Sequence, residues 1–407
     1  MAQVDKFWTT SGRVDAFAFE KVAPNNLSKH LGWLEGVTGG SLTFDYDSDL
    51  KVSGSLDIST TSFVENCVLR IHYKPKLGAE QKDVVLCTCF ATASDMDFDK
   101  GRYKGKLELK SVLARYVDDK LRNTFTIGKN KGYKAELKRL IDNNCGGKYS
   151  VAADVKDKVC GKALAFESGK APMEVIQSIA DTLDAQVGVD KNGYMTLKRY
   201  LTPSKKSCSL TIPSGSVSVT LPGVNISDNQ ADAVNRVAYK CECSWKQTVY
   251  VTNKKGQRER YTSGANKGKY KTKKEKKSKT ITGRAQVSSS SPLHFSSRGR
   301  WVSEVYTCKR DLGTKKLGST AELNKKFAEI QAEMNKKAAT KLSNVSAKIK
   351  KYVIECYYLP LEIGQVVEFE YVASGLKLHV QAMVTAIEMN LGPGARMKVT
   401  LKHVRNV

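Results

Sequence analysis

No stretch of the 407-residue chain approaches the ~20 consecutive apolar residues that a membrane-crossing helix needs. Residues 1–19 also lack the apolar run of a secretory signal, so the sequence predicts a protein made and kept in a cytoplasm. Cysteine is too dilute for a disulfide scaffold. The ten lie at Cys67, Cys87, Cys89, Cys145, Cys160, Cys208, Cys241, Cys243, Cys308 and Cys356, and no two are spaced as CxxC, which removes the usual zinc and redox motifs. They read as reduced small hydrophobes, mostly buried. Cys87 with Cys89, and Cys241 with Cys243, share a face if each pair lies on a strand, but the five scattered histidines supply no matching metal ligands.

The chemistry-bearing motifs are missing as well. There is no GxxxxGK[ST] to cradle a nucleotide phosphate, no GxSxG and no HExxH, and His30, His72, His294, His379 and His403 have no base or ligand near them in sequence. The run Asp95 to Gly101 opens like a calcium loop, with oxygen ligands at alternate positions. Its glycine falls one place late, and Lys106 stands where a bidentate glutamate belongs, so it reads as a turn between strands. The sequence therefore nominates no catalytic residue, no metal site and no cofactor.

Acid is scarce relative to base: 41 Asp and Glu face 67 Lys and Arg, a formal charge of +26. Such a bias favours a polyanionic partner and is silent about fold. Much of it is concentrated in one segment, where Lys254, Lys255, Arg258, Arg260, Lys267, Lys269, Lys271, Lys273, Lys274, Lys276, Lys277 and Lys279 are opposed only by Glu259 and Glu275. Between Val251 and Ile281 the only apolar residues are Ala265 and two tyrosines. The segment has too little to bury to order itself and is expected as a mobile loop or a long exposed hairpin. Three uses remain open: contact with a nucleic-acid backbone, contact with an acidic protein surface, or plain solvation.

The rest of the chain is patterned for a mainly β protein. From Gly40 to Lys110, runs such as Cys67 to Tyr73 and Val84 to Phe90 alternate in the manner of antiparallel strands. Between 111 and 204 the period shifts to 3.6. Pro172 sits at a first-turn position ahead of the stripe Met173, Ile176, Ile179, Ala180 and Leu183, and Val189 to Leu197 reads as a hairpin about Asn192-Gly193. Strand pattern resumes at 208–212 and 234–241. A long amphipathic helix is expected over about 320–346, capped by Ser319 or Thr320, with Leu323, Phe327, Ile330, Met334 and Ala338 on one face. The remainder, from Tyr352 onward, is β. The expected layout is a first β-barrel domain over 1–110, completed by about 205–245; an inserted α+β domain over 111–204; the basic loop, 246–280; and a second β domain over 281–407.

This order of features resembles the baseplate hub proteins of tailed-phage tails. The residues that carry the likeness are Lys104 to Leu109 with Leu113 to Leu121, the Val189 to Leu197 hairpin, Val234 to Val237, Arg298 to Val302, the alanine- and lysine-rich helix from Ala321, and Pro360 to Val367 with Leu391 to Met397. The basic segment is a departure from that pattern. The resemblance implies a structural virion protein in the tail tip, assembled in the host cytoplasm and not an enzyme. It implies a homotrimer in which two tube-like antiparallel β-barrels per chain build a pseudo-sixfold ring, adapting a sixfold tail tube to a threefold spike. The implied partners are the tail tube or distal tail protein, the tape measure protein, a central spike or fibre and, transiently, phage DNA. The alternative is a nucleic-acid-binding protein acting through 254–279.

Overall fold

The computed structural model describes residues 4–199, 208, 210–212, 220–228, 233–291, 293–315, 320–345, 348–373 and 376–405. Pro292 and Ser319 lie outside them. The chain forms two compact units, one from 1–227 with 351–403 and the other from 228–350 with 404–407.

The first unit opens with helix α1 (Lys6–Thr9), capped by the Asp5 carboxylate accepting from the Phe7 amide. Strands β1 (Phe17–Ala23), β2 (Asn26–Trp33), β3 (Val37–Asp45), β4 (Val52–Thr60), β5 (Cys67–Tyr73), β6 (Lys76–Leu77), β7 (Glu80–Gln81), β8 (Val84–Asp99) and β9 (Arg102–Ser111) follow. The β8–β9 connection is the turn expected in place of a calcium loop. Lys100 and Gly101 have φ of 50° and 78°, the double positive-φ geometry of a two-residue hairpin turn, and Asp99 pairs with Arg102.

Residues 112–199 carry α2 (Ala114–Val117), β10 (Phe125–Ile127), α3 (Tyr133–Leu140), β11 (Tyr149–Val151), β12 (Leu164–Phe166), α4 (Pro172–Thr182), β13 (Ala185–Val189) and β14 (Met195–Arg199). Pro172 opens α4, and the β13–β14 hairpin turns at Gly193 with φ of 84°. The three-residue strands β10, β11 and β12 were not expected, because a run that short shows no readable period. A separate core holds this part together, built on Leu113, Tyr116, Leu137, Ile141, Val175, Ile176, Ile179 and Leu197.

After β15 (Leu210–Ile212) and β16 (Thr220–Asp228) the chain enters the second unit with β17 (Arg236–Tyr250), β18 (Thr272–Gln286), α5 (Phe295–Arg298), β19 (Ser303–Lys315) and α6 (Thr320–Val345). It returns to the first unit with β20 (Lys348–Tyr357), β21 (Val366–Ala373), β22 (Leu376–Asn390) and β23 (Arg396–Arg405).

The strand partners depart from the expected layout in two ways. First, β17 does not complete the amino-terminal sheet. It pairs antiparallel with β18 and parallel with β19, because its alternate residues Val237, Cys241, Cys243 and Trp245 are buried on the face covered by α6. Second, the carboxyl-terminal strands do not form a sheet of their own. β22 pairs with β3 from Ala386↔Asp45 to Asn390↔Ser41, giving a 13-stranded sheet of order β16-β20-β23-β22-β3-β4-β9-β8-β5-β1-β2, with β21 on β22 and β15 on β21. Mainly β is thus the observed class. The path is open, and the described strands form no closed barrel.

Two clusters line this sheet. One gathers Leu42, Leu56, Leu69, Ile71, Leu107 and Leu109; the other joins Tyr352, Phe369, Val384 and Leu401 to Trp8 and Tyr73 from the amino-terminal end. Each fully buried aliphatic or aromatic side chain stabilises the fold by ~1.5–3 kcal/mol.

Candidate functional site: a basic two-stranded ribbon

Of the two forms expected for the basic segment, the structure adopts the long hairpin. β17 and β18 stay paired from Arg236↔Gln286 to Tyr250↔Thr272 without a register shift. At the base of the ribbon Ile281 and Gly283 face α6; towards the tip the buried positions of β17 stop at Trp245, whose ring lies 5.4 Å from Phe327.

Beyond Tyr250 the chain folds into a small three-layered ladder. The Val251 amide donates to Lys271, Glu259 to Val251, Lys271 to Glu259 and Tyr261 to Lys269, all at 2.8–3.0 Å. The Asn253 carboxamide oxygen accepts from the Lys255 and Gln257 amides and closes the first turn. Rings and guanidinium groups supply the contacts that aliphatic side chains would otherwise provide. Arg258 lies 4.2 Å from the Tyr250 ring centre and 5.8 Å from that of Tyr270, while Arg260 lies 4.3 Å from Tyr270 and donates to its hydroxyl at 2.9 Å.

The twelve nominated cations fall into two groups. Arg258, Arg260, Lys271, Lys273 and Lys279 are engaged within the protein: Lys271 pairs with Glu259 at 3.2 Å, Lys273 with Glu275 at 2.8 Å, and Lys279 lies 4.4 Å from the Phe327 ring. The Lys273 ammonium holds the Glu275 carboxyl below its ordinary range, chiefly by hydrogen bonding. Lys254, Lys255, Lys267, Lys269, Lys274, Lys276 and Lys277 are exposed and make no ion pair among the described residues. Alternation divides the ribbon lysines between its faces: Lys277 shares a side with Trp245, while Lys274 and Lys276 face away. One further cation was not nominated. Lys246 stands directly opposite Lys276 across the ladder, and its signal was its even position in the β17 alternation.

The histidine-bearing strands hold groupings that sequence spacing did not reveal. Glu20 bonds His30 at 2.9 Å, His72 at 3.2 Å and Arg70 at 2.9 Å; burial opposes its charge, but these partners hold its carboxyl below the ordinary range. His379 lies 2.8 Å from Glu368 and 3.0 Å from Glu370. No group of three or more His, Cys, Asp or Glu is placed to hold a metal ion among the described residues. The Cys87 and Cys89 sulfurs are 3.7 Å apart and buried, and hydrogen bonding to Cys89 and burial push the Cys87 thiol up. A cavity of about 480 Å³ in the first unit is lined by Phe44, Leu86, Val187, Leu359 and Met389, with Lys51 and Lys198 among its polar groups.

The fold is that of phage tail proteins. It matches the tail protein from Neisseria meningitidis MC58 with a TM-score of 0.58 at 10% identity, over 95% of this chain and 97% of that one. It matches the 43 kDa tail protein of prophage MuSo2 from Shewanella oneidensis with a TM-score of 0.52 at 13% identity, again over 95% and 97%. No protein-family model and no curated protein sequence matches the chain.

Proposed function

We propose that this chain is a non-enzymatic structural protein of a phage tail or tail-like particle, acting as the trimeric hub between the tail tube and a central spike or fibre. The observation that carries the reading is the near end-to-end coverage of two tail proteins, without a domain left over on either side. The open sheet supports it. Among the described residues its path ends at β2 and β16, and each of these strands exposes apolar side chains: Leu31 and Trp33 on β2, Ile226 on β16. Exposed edges of this kind are satisfied by another chain, and a head-to-tail edge contact that closes on itself makes a ring. In this reading the chain sits in the virion tail tip and contacts the distal tail and tape measure proteins, and the genome passes it on ejection.

The test is the absolute solution mass of the purified chain at low and high salt, with end-on electron images of the same sample. A salt-resistant species near three times 44.9 kDa, seen as a ring with a central hole, is the expected result. A monomer at every concentration that also fails to co-purify with other tail components overturns it.

A further inference from the structure

We propose that the edge strand β18 over 272–278, with the ribbon tip, binds the phosphate backbone of duplex DNA without reading base sequence. The inference rests on the ribbon alone and stands or falls separately from the tail assignment.

Three observations converge. The first is that the ribbon opposes like charges. Lys246 and Lys276 are directly cross-strand, about 5 Å apart at Cβ, an arrangement that destabilises a sheet. A row of phosphates relieves that repulsion. The second is the division of labour among the cations. The arginines, which recognise guanine edges bidentately, are committed to tyrosine rings, and Arg260 also donates to the Gly268 carbonyl at 3.1 Å. The exposed cations with no ring or carboxylate against them among the described residues are lysines: Lys246, Lys254, Lys255, Lys267, Lys269, Lys274, Lys276 and Lys277. Lysine acts on a phosphate as a point charge and carries little base information.

The third is the state of the aromatics. Tyr270 has Arg258 and Arg260 against it and the Tyr250 ring at 5.4 Å, and Tyr261 has Lys271 6.0 Å from its ring, so both exposed tyrosines of the tip already have cations against them. Single-strand binding depends on free aromatic platforms. β18 is an edge strand of its sheet, and beyond Gln247, the last β17 residue paired with β19, the ribbon is two-stranded and of a size the duplex major groove admits.

The test is fluorescence anisotropy of the full chain with a labelled duplex of about 30 base pairs, from 50 to 200 mM salt. About six phosphate contacts give a slope of log K on log salt near −5, a loss of roughly 10³ in affinity over that range. Lys→Gln at Lys254, Lys255, Lys267, Lys274, Lys276 and Lys277 together is expected to weaken binding at least ~100-fold at 100 mM salt and to flatten the slope. The same six-charge loss placed at exposed Lys29, Lys120, Lys129, Lys131, Lys156 and Lys162 is expected to cost only a few-fold. Lysine acetylation of the unaltered protein, with and without duplex, provides a second readout that needs no variant: Lys274 and Lys276 are expected to be protected. Equal losses in the two variants, tighter binding of single-stranded DNA or polyglutamate than of duplex, a tenfold preference between unrelated duplexes, or an unprotected ribbon would each overturn the proposal.

Discussion

Replacing Gly283 by alanine isolates the contact that seats α6 on its sheet. A Cβ at this position would lie 2.2 Å from the Met334 carbonyl carbon and 2.4 Å from both the Met334 oxygen and the Asn335 nitrogen. These are helix backbone atoms, so no side chain can swing aside, and the helix must shift by more than 1 Å to restore ordinary contact. The shift opens the layer in which Ile330, Met334, Cys241, Cys243 and Ile281 are all buried. Misfit of this kind costs ~1–3 kcal/mol. The strand conformation itself tolerates alanine, because Gly283 is not among the positive-φ glycines. In hydrogen exchange, the α6 amides of Gly283→Ala are expected to exchange about 5- to 150-fold faster, following tenfold per ~1.4 kcal/mol. Thr280→Ala, at an exposed position facing away from the helix on the same strand, is expected to leave them within about twofold. Unchanged α6 protection in Gly283→Ala would refute the account of how the helix docks.

Other outcomes follow from the same packing. Trp8→Ala removes a ring that meets Phe7, Tyr73 and Tyr358 at 4.9–6.3 Å and is expected to destabilise the first unit by ~3–5 kcal/mol in urea unfolding. Glu20→Gln is expected to cost ~1–3 kcal/mol at neutral pH, since it strips charge from the partner shared by His30, His72 and Arg70. Because the folded Glu20 carboxyl titrates below its ordinary value, its contribution is complete above about pH 4.5 and is lost as pH falls through the depressed value; the gap between parent and variant is expected to narrow on acidification. Iodoacetamide at pH 8 is expected to spare Cys87 and Cys356 in the folded protein, the latter with its thiol pushed up to about 12 by burial, and to label the partly exposed Cys67, Cys208 and Cys308 ahead of them.

Local features were legible in the sequence, and long-range pairing was not. The α6 stripe, Pro172 at the head of α4 and the turns at Lys100-Gly101 and Asn192-Gly193 each depend on residues a few positions apart, so periodicity and turn chemistry expose them. The pairing of β22 with β3 leaves no comparable trace, because any alternating strand satisfies the edge of another. The β17 partners were hidden for the same reason. The ribbon tip holds a contact of another kind. Counting apolar residues gave it nothing to bury, yet its order comes from Arg258 and Arg260 against Tyr250 and Tyr270, a contact between charge and ring that hydropathy does not register. The basic site was therefore legible as charge, but its division into structural arginines and outward-facing lysines was not.

The union of β3 with β22 also sets a timetable for the newborn chain. Asp45 leaves the ribosome about 340 residues before its partner Ala386 is made, an interval of roughly 17–70 s at ~5–20 residues per second. The second unit, whose strands and helix come from one continuous stretch, can assemble within that interval. Throughout it the β3 edge is bare, with half of its main-chain groups facing water or whatever else is nearby. Production of this protein is thus most exposed to mispairing before synthesis ends, and slower elongation through the last hundred codons lengthens that exposure.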